Sequence, residues 1–154
     1  MSPATALLVL TAADVTRLFT LDRAIASQRE AFTALGRGTA VLPPRLLVPG
    51  ADGAVAFCYA ARLAPDGAAV SKFGSVTPGN PAIGLPSVCA LVTVLDARTG
   101  QPSAVMDGTA VTTLRTSAAS AVAASVLARP RAWFPGFTEP NFDTAAPPGD
   151  SRAA

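Results

Sequence analysis

Apolar residues fall at helical spacing twice near the start of the chain and then switch to short extended runs. Residues 11–19 (TAADVTRLF) place Val15, Leu18 and Phe19 on one side, behind Thr11, a residue type that caps helix starts. Residues 20–38 repeat the pattern, with Thr20 as cap, Leu21, Ile25, Phe32 and Leu35 on one stripe, and Gly36 as terminator. Two helices are predicted. From Leu42 the pattern changes to apolar and β-branched runs at residues 45–49, 54–61, 68–76, 88–97 and 102–106. Turn signals at Gly50-Ala51-Asp52-Gly53, Pro65-Asp66-Gly67 and Arg98-Thr99-Gly100 separate them, so five strands in an antiparallel or mixed sheet are expected. The intervening TPGNPAIGLPS is too rich in proline and glycine for a helix or central strand. Asp107 then opens a long Ala-rich helix without proline until Pro130, whose small residues from Ala118 to Ala124 allow another backbone to come close.

The predicted fold class is therefore α+β, a mixed β-sheet with flanking helices, over residues 1–128. Beyond Ala128 neither periodicity continues: the last 26 residues hold five of the 14 prolines and four of the nine aromatics. Residues 129–154 are expected to form an irregular, proline-rich tail, loose past Arg131. At 154 residues the chain has room for one ordinary domain and no second full one.

Histidine is absent, which closes Ser-His-Asp and Cys-His nucleophile activation, HExxH zinc sites and facial iron triads. Cys58 and Cys89 stand alone, with no CxxC and no third thiol, and are expected to be small buried residues on strands in a reducing cytoplasm. A net charge of +2 with one tryptophan and one tyrosine gives no basic, aromatic stripe for nucleic acid. The N-terminal apolar run has no basic region before it and does not read as a signal peptide. Each apolar stretch is interrupted by Asp, Arg, Pro or Gly before the roughly 18 residues of a membrane span, so no membrane partner is expected.

The basic residues carry more information than the net charge. Eleven of the twelve are arginine and the only lysine is Lys72, in AAVSKFGSV. A lysine left in such an arginine-biased chain is a candidate for work that arginine cannot do, as a compact ammonium donor or tunable proton carrier. Its alternative is chance survival on a surface strand.

Four segments, LPPRLL around Arg45, VSKFGSVTPGNPAIGLPS around Lys72, VTVLDARTGQPSAVMDG, and TAVTTLRTSAASAVAASVLA around Arg115, resemble in order and spacing the N-terminal half of the ornithine cyclodeaminase/mu-crystallin family. The resemblance covers residues 6–128. It implies that Arg45, Lys72 and Arg115 bind a small amino or keto acid, and that Lys72 also handles a proton near the amine or imine carbon. It further implies that Ser87 and Arg115 meet an NAD(P) cofactor, and that the unit forms a homodimer through its sheet; the cytoplasmic location expected for it comes from the two lone cysteines. Two arginines and a lysine suit a carboxylate, which guanidinium groups bind through paired hydrogen bonds.

Family members continue into a Rossmann domain that carries the dinucleotide site and a catalytic aspartate. Residues 129–154 show no GxGxxA turn, and Gly36-Arg37-Gly38 ends a helix. The composition break there is read as a frameshifted or truncated reading frame. The chain alone is expected neither to hold NAD(P) nor to turn over. The alternatives are a non-catalytic carboxylate-binding or interaction module, or a non-functional gene remnant.

Overall fold

The computed structural model describes residues 6–128. The expectations for residues 129–154 lie outside the described residues. In chain order the elements are β1 (Leu8–Leu10), α1 (Ala12–Leu18), α2 (Leu21–Gly36), β2 (Leu46–Pro49), β3 (Val55–Ala61), β4 (Val70–Val76), β5 (Val88–Leu95), β6 (Pro102–Asp107) and α3 (Gly108–Leu127). The fold is α+β, as its periodicities predict. The six strands form one sheet in the order β1-β6-β5-β4-β3-β2, antiparallel except for the β1–β6 pair. That parallel pair makes the sheet mixed. β1 has no counterpart in the sequence reading, because three residues are too few to show alternation.

Local chemistry sets the helix starts. Thr11 accepts from the Asp14 amide while the Asp14 carboxylate accepts from the Thr11 amide and hydroxyl, a reciprocal cap on α1. Those bonds, with Arg17 at 3.2 Å, hold the Asp14 carboxyl below its usual range, the Thr11 hydroxyl contributing most. Asp107 caps α3 by accepting from the Ala110 amide at 2.7 Å. At the other end of α2 the left-handed turn falls on Gly38 (φ 70°) rather than on Gly36, which is still helical.

Packing departs from the predicted stripe on α2. Leu21, Phe32 and Leu35 remain exposed, whereas Ala24 is fully buried. The reason is the partner: α2 packs on the Ala-rich α3, where Ala118 and Val122 are buried, and small side chains let the two backbones approach. Arg29 adds a hydrogen bond to Ser125 at 3.0 Å. With Val15 of α1 and Phe57 of β3, these residues are the buried apolar core among the described residues.

Alternation along the strands divides the sheet into two faces. Phe57, Tyr59, Lys72, Gly74, Ala90 and Val92 share the face that meets α3. Leu46, Cys58, Phe73 and Leu91 form a register row across β2 to β5 on the other face. On that row Leu46 is 63% exposed, Phe73 61% and Leu91 55%. Cys58, half-buried, and Cys89, exposed, lie on this face too, which corrects the expectation that both are buried. They are on strands as predicted, but among the described residues no helix covers that side. A second correction concerns α3, which by length and composition is apolar enough to cross a membrane despite Arg115. Here it packs against α2, α1 and β5.

Candidate functional site

Arg45, Lys72 and Arg115 come from the approach to β2, from β4 and from α3, 27 and 43 residues apart in sequence, yet line one cavity of about 680 Å³. Arg45 follows Pro43-Pro44, and the two prolines hold the chain extended as it enters β2. Lys72 stands on β4, paired with Tyr59 of β3. Arg115 projects from the second turn of α3. No acidic side chain among the described residues lines the cavity. Among the described residues none of the three cations forms an ion pair, the recorded pair being Arg17 with Asp14.

Two rings support these cations instead. Phe57 and Tyr59, alternate residues of β3, stack at 4.9 Å between centroids. The Lys72 ammonium lies 5.2 Å from the Phe57 ring centre and the Arg45 guanidinium 5.6 Å from that of Tyr59, both within range of a cation–π attraction. Lys72 Nζ also donates to Thr112 Oγ1, and the Thr112 hydroxyl donates to the Gly108 carbonyl. Partial burial lowers the Lys72 pKa below its ordinary value of 10.5, and repulsion from Arg115 lowers it further. Three cations around one cavity, with no acidic side chain lining it among the described residues, can chemically accept an anion. Sequence reasoning did not single out Tyr59 or Phe57. The available signal was an i, i+2 aromatic pair containing the chain's only tyrosine.

Ser87 is not part of this cavity. It precedes β5 and its carbonyl accepts from the Thr77 amide, at the end of the β4–β5 pair away from Lys72. Five residues of extended chain separate Lys72 from Thr77, roughly 17 Å. A hydroxyl-lined groove of about 380 Å³ next to Val88 runs along Thr109, Thr112, Thr116 and Ser117 of α3. Thr112 thus belongs to the groove while holding the lysine of the cavity. A larger depression, about 750 Å³, is lined by Phe73, Cys89, Leu91 and Asp107 but by no cation.

A dinucleotide would require a glycine-rich turn opening onto a helix N-terminus. Gly108 begins α3 but is pressed against β5, where an added Cβ would come within 2.8 Å of the Ala90 backbone, so its bareness serves packing. Gly36-Arg37-Gly38 closes α2. Neither of these glycine positions forms such a turn.

The sequence and the fold have close relatives. An alanine dehydrogenase of Archaeoglobus fulgidus is 38% identical over 130 residues, covering 84% of this chain and 39% of that protein. The solved structure of Delta(1)-pyrroline-2-carboxylate reductase from Thermococcus litoralis, in complex with NADH and L-proline, superposes with a TM-score of 0.75 at 36% identity, covering 79% of this chain and 38% of that one. An archaeal alanine dehydrogenase dimer with bound NAD gives 0.73 at 38% identity, covering 79% and 37%. The chain thus spans under two-fifths of the length of the relatives it matches. The profile of the ornithine cyclodeaminase/mu-crystallin family matches residues 6–137, beyond the expected limit at residue 128, and with the fold and these relatives it places the chain in that family.

Proposed function

We propose that Arg45, Lys72 and Arg115 bind the carboxylate of a small amino, imino or keto acid, and that residues 1–128 are the substrate-binding and dimerisation unit of NAD(P)-dependent chemistry on such acids. The observation that carries this reading is the convergence of three cations, none with an acidic partner among the described residues, on one cavity. Each arginine can give a carboxylate two parallel hydrogen bonds, and the lysine adds a point charge. With its pKa lowered, Lys72 is also suited to give or take a proton at a substrate nitrogen or the carbon beside it. Pyruvate or L-proline titrated calorimetrically into the 154-residue chain should bind saturably at one site per chain. With NADH and pyruvate or with NAD and ornithine, the same chain should give no turnover, because Ser87 and Arg115 alone do not fix a dinucleotide. Absence of binding would refute the site, and steady turnover would refute the division of labour.

The uncovered sheet face supports the dimer. A row of Leu46, Cys58, Phe73 and Leu91 exposed on a lone chain is the kind of apolar surface that a second copy buries. The archaeal alanine dehydrogenase relative is itself a dimer. Sedimentation should show a dimer at micromolar concentration, and Phe73→Asp, which puts a charge in the middle of the row, should yield monomers. A wild-type monomer would contradict it. Free Cys58 and Cys89 fit a reducing, cytoplasmic setting.

A further inference from the structure

Lysine carries four rotatable bonds, and a solvated lysine must be ordered each time a ligand binds. Lys72 is held before any ligand arrives. The Thr112 hydroxyl has one hydrogen, and it is committed to the Gly108 carbonyl one helical turn back. Its oxygen can therefore only accept from Lys72, which fixes the direction of that bond. Gly108 lies so close to β5 that an added Cβ would come within 2.8 Å of the Ala90 backbone, so the anchor of the hydroxyl is part of the sheet–helix junction. Phe57, buried and stacked on Tyr59, closes the other side of the ammonium.

We propose that Thr112 is a positioning residue for the site, its hydroxyl holding the Lys72 ammonium between α3 and the Phe57 ring so that two N–H bonds stay free for the bound acid. This rests on the carboxylate-binding reading given above. The hydroxyl does not touch the acid. It acts by pre-ordering the lysine and, as an acceptor, by favouring the charged ammonium. Its partial burial and Arg115 of α3 act on Lys72 in the opposite sense, and Arg45 is the other cation lining the cavity.

Because Lys72 is the only lysine, a chain grown with 13Cε-lysine gives a single lysine side-chain signal, which reads its titration and its mobility directly. In the wild-type chain the Lys72 methylene should relax as an ordered group. Thr112→Val keeps the shape and removes the oxygen. It should lower the Lys72 pKa further, make the methylene relax as a free side chain does, and weaken pyruvate binding about fivefold. Thr112→Ser should restore all three. A wild-type Lys72 that relaxes like a solvated lysine overturns the proposal, as does a folded Thr112→Val chain with unchanged pKa and affinity. If Thr112→Val does not fold, the wild-type relaxation and the Thr112→Ser chain still decide. Should the wild-type chain bind no pyruvate, the carboxylate reading fails, while the Lys72 signal still reports whether Thr112 holds the lysine.

Discussion

Replacing Arg45 by alanine should weaken pyruvate binding roughly ten- to a hundredfold, the loss expected when charge-assisted hydrogen bonds worth about 1.5–3 kcal/mol are removed. The fold should be unaffected, because Arg45 is exposed, lies just before β2, and rests its guanidinium on the face of Tyr59. Arg115→Ala should give a loss of similar size with a different pH signature. Arg115 is one of the two causes that lower the Lys72 pKa, so its removal lets that pKa rise. Carboxylate binding that depends on the ammonium weakens as pH climbs through the Lys72 pKa, which in the wild-type chain lies below 10.5. In Arg115→Ala the alkaline fall should move to higher pH, whereas in Arg45→Ala it should stay near its wild-type place. Calorimetric titrations across pH 7 to 10 check both. Equal affinity of either variant and the wild-type chain would remove that arginine from the site.

The largest effect on stability is expected at Gly74. It sits in the middle of β4, opposite Phe57 on one side and Ala90 on the other. A Cβ there would run into the Cys89 carbonyl and stand 2.6 Å from the Ala90 Cβ and 2.9 Å from its Cα. These are backbone or near-backbone atoms of a paired strand and cannot swing away. Gly74→Val should therefore cost on the order of 3 kcal/mol or more, a large share of the 5–15 kcal/mol that holds an ordinary domain together. Because β4 also carries Lys72, pyruvate binding should be lost with the fold. Gly36→Ala is the control. It has nothing within 4 Å of the new methyl at the last turn of α2, and should be neutral or gain up to about 1 kcal/mol. Urea unfolding followed by circular dichroism separates the two, and a Gly74→Val chain as stable as the control would show that β4 and β5 are not packed as described.

The strands were legible because β3 to β6 are bounded by strong turn residues, and α3 because it is long and follows a good cap in Asp107. β1 was not, since its pairing with β6 joins residues about a hundred apart in a chain where only three positions take part. Nor could the bare face be told from the covered one. Leu46, Phe73 and Leu91 are as apolar as Phe57, Val92 and Met106, so alternation gives two apolar faces and no sign of which the helices choose. The same blindness misplaced the cysteines and the α2 stripe.

For the site, residue types alone flagged only Lys72, as the lone lysine. Arg45 and Arg115 stood out through their family resemblance. Their convergence depends on the Tyr59–Lys72 register and on the way α3 crosses the sheet, neither of which is written in local sequence. Thr112 lies inside the TAVTTLRTSAASAVAASVLA segment, but a threonine in a helix usually bonds back to its own turn. Only the three-dimensional contact with Lys72 distinguishes it.

The most direct measurement is the 13Cε signal of Lys72 followed as pyruvate is added to the wild-type chain at neutral and alkaline pH. A carboxylate held among Arg45, Lys72 and Arg115 should shift that signal saturably and raise the Lys72 pKa, because a bound anion favours the ammonium. A signal that stays in place, with an unchanged pKa, up to pyruvate concentrations that saturate the site in calorimetry or at any concentration where no heat is seen, would contradict the assignment of these three residues as the carboxylate site.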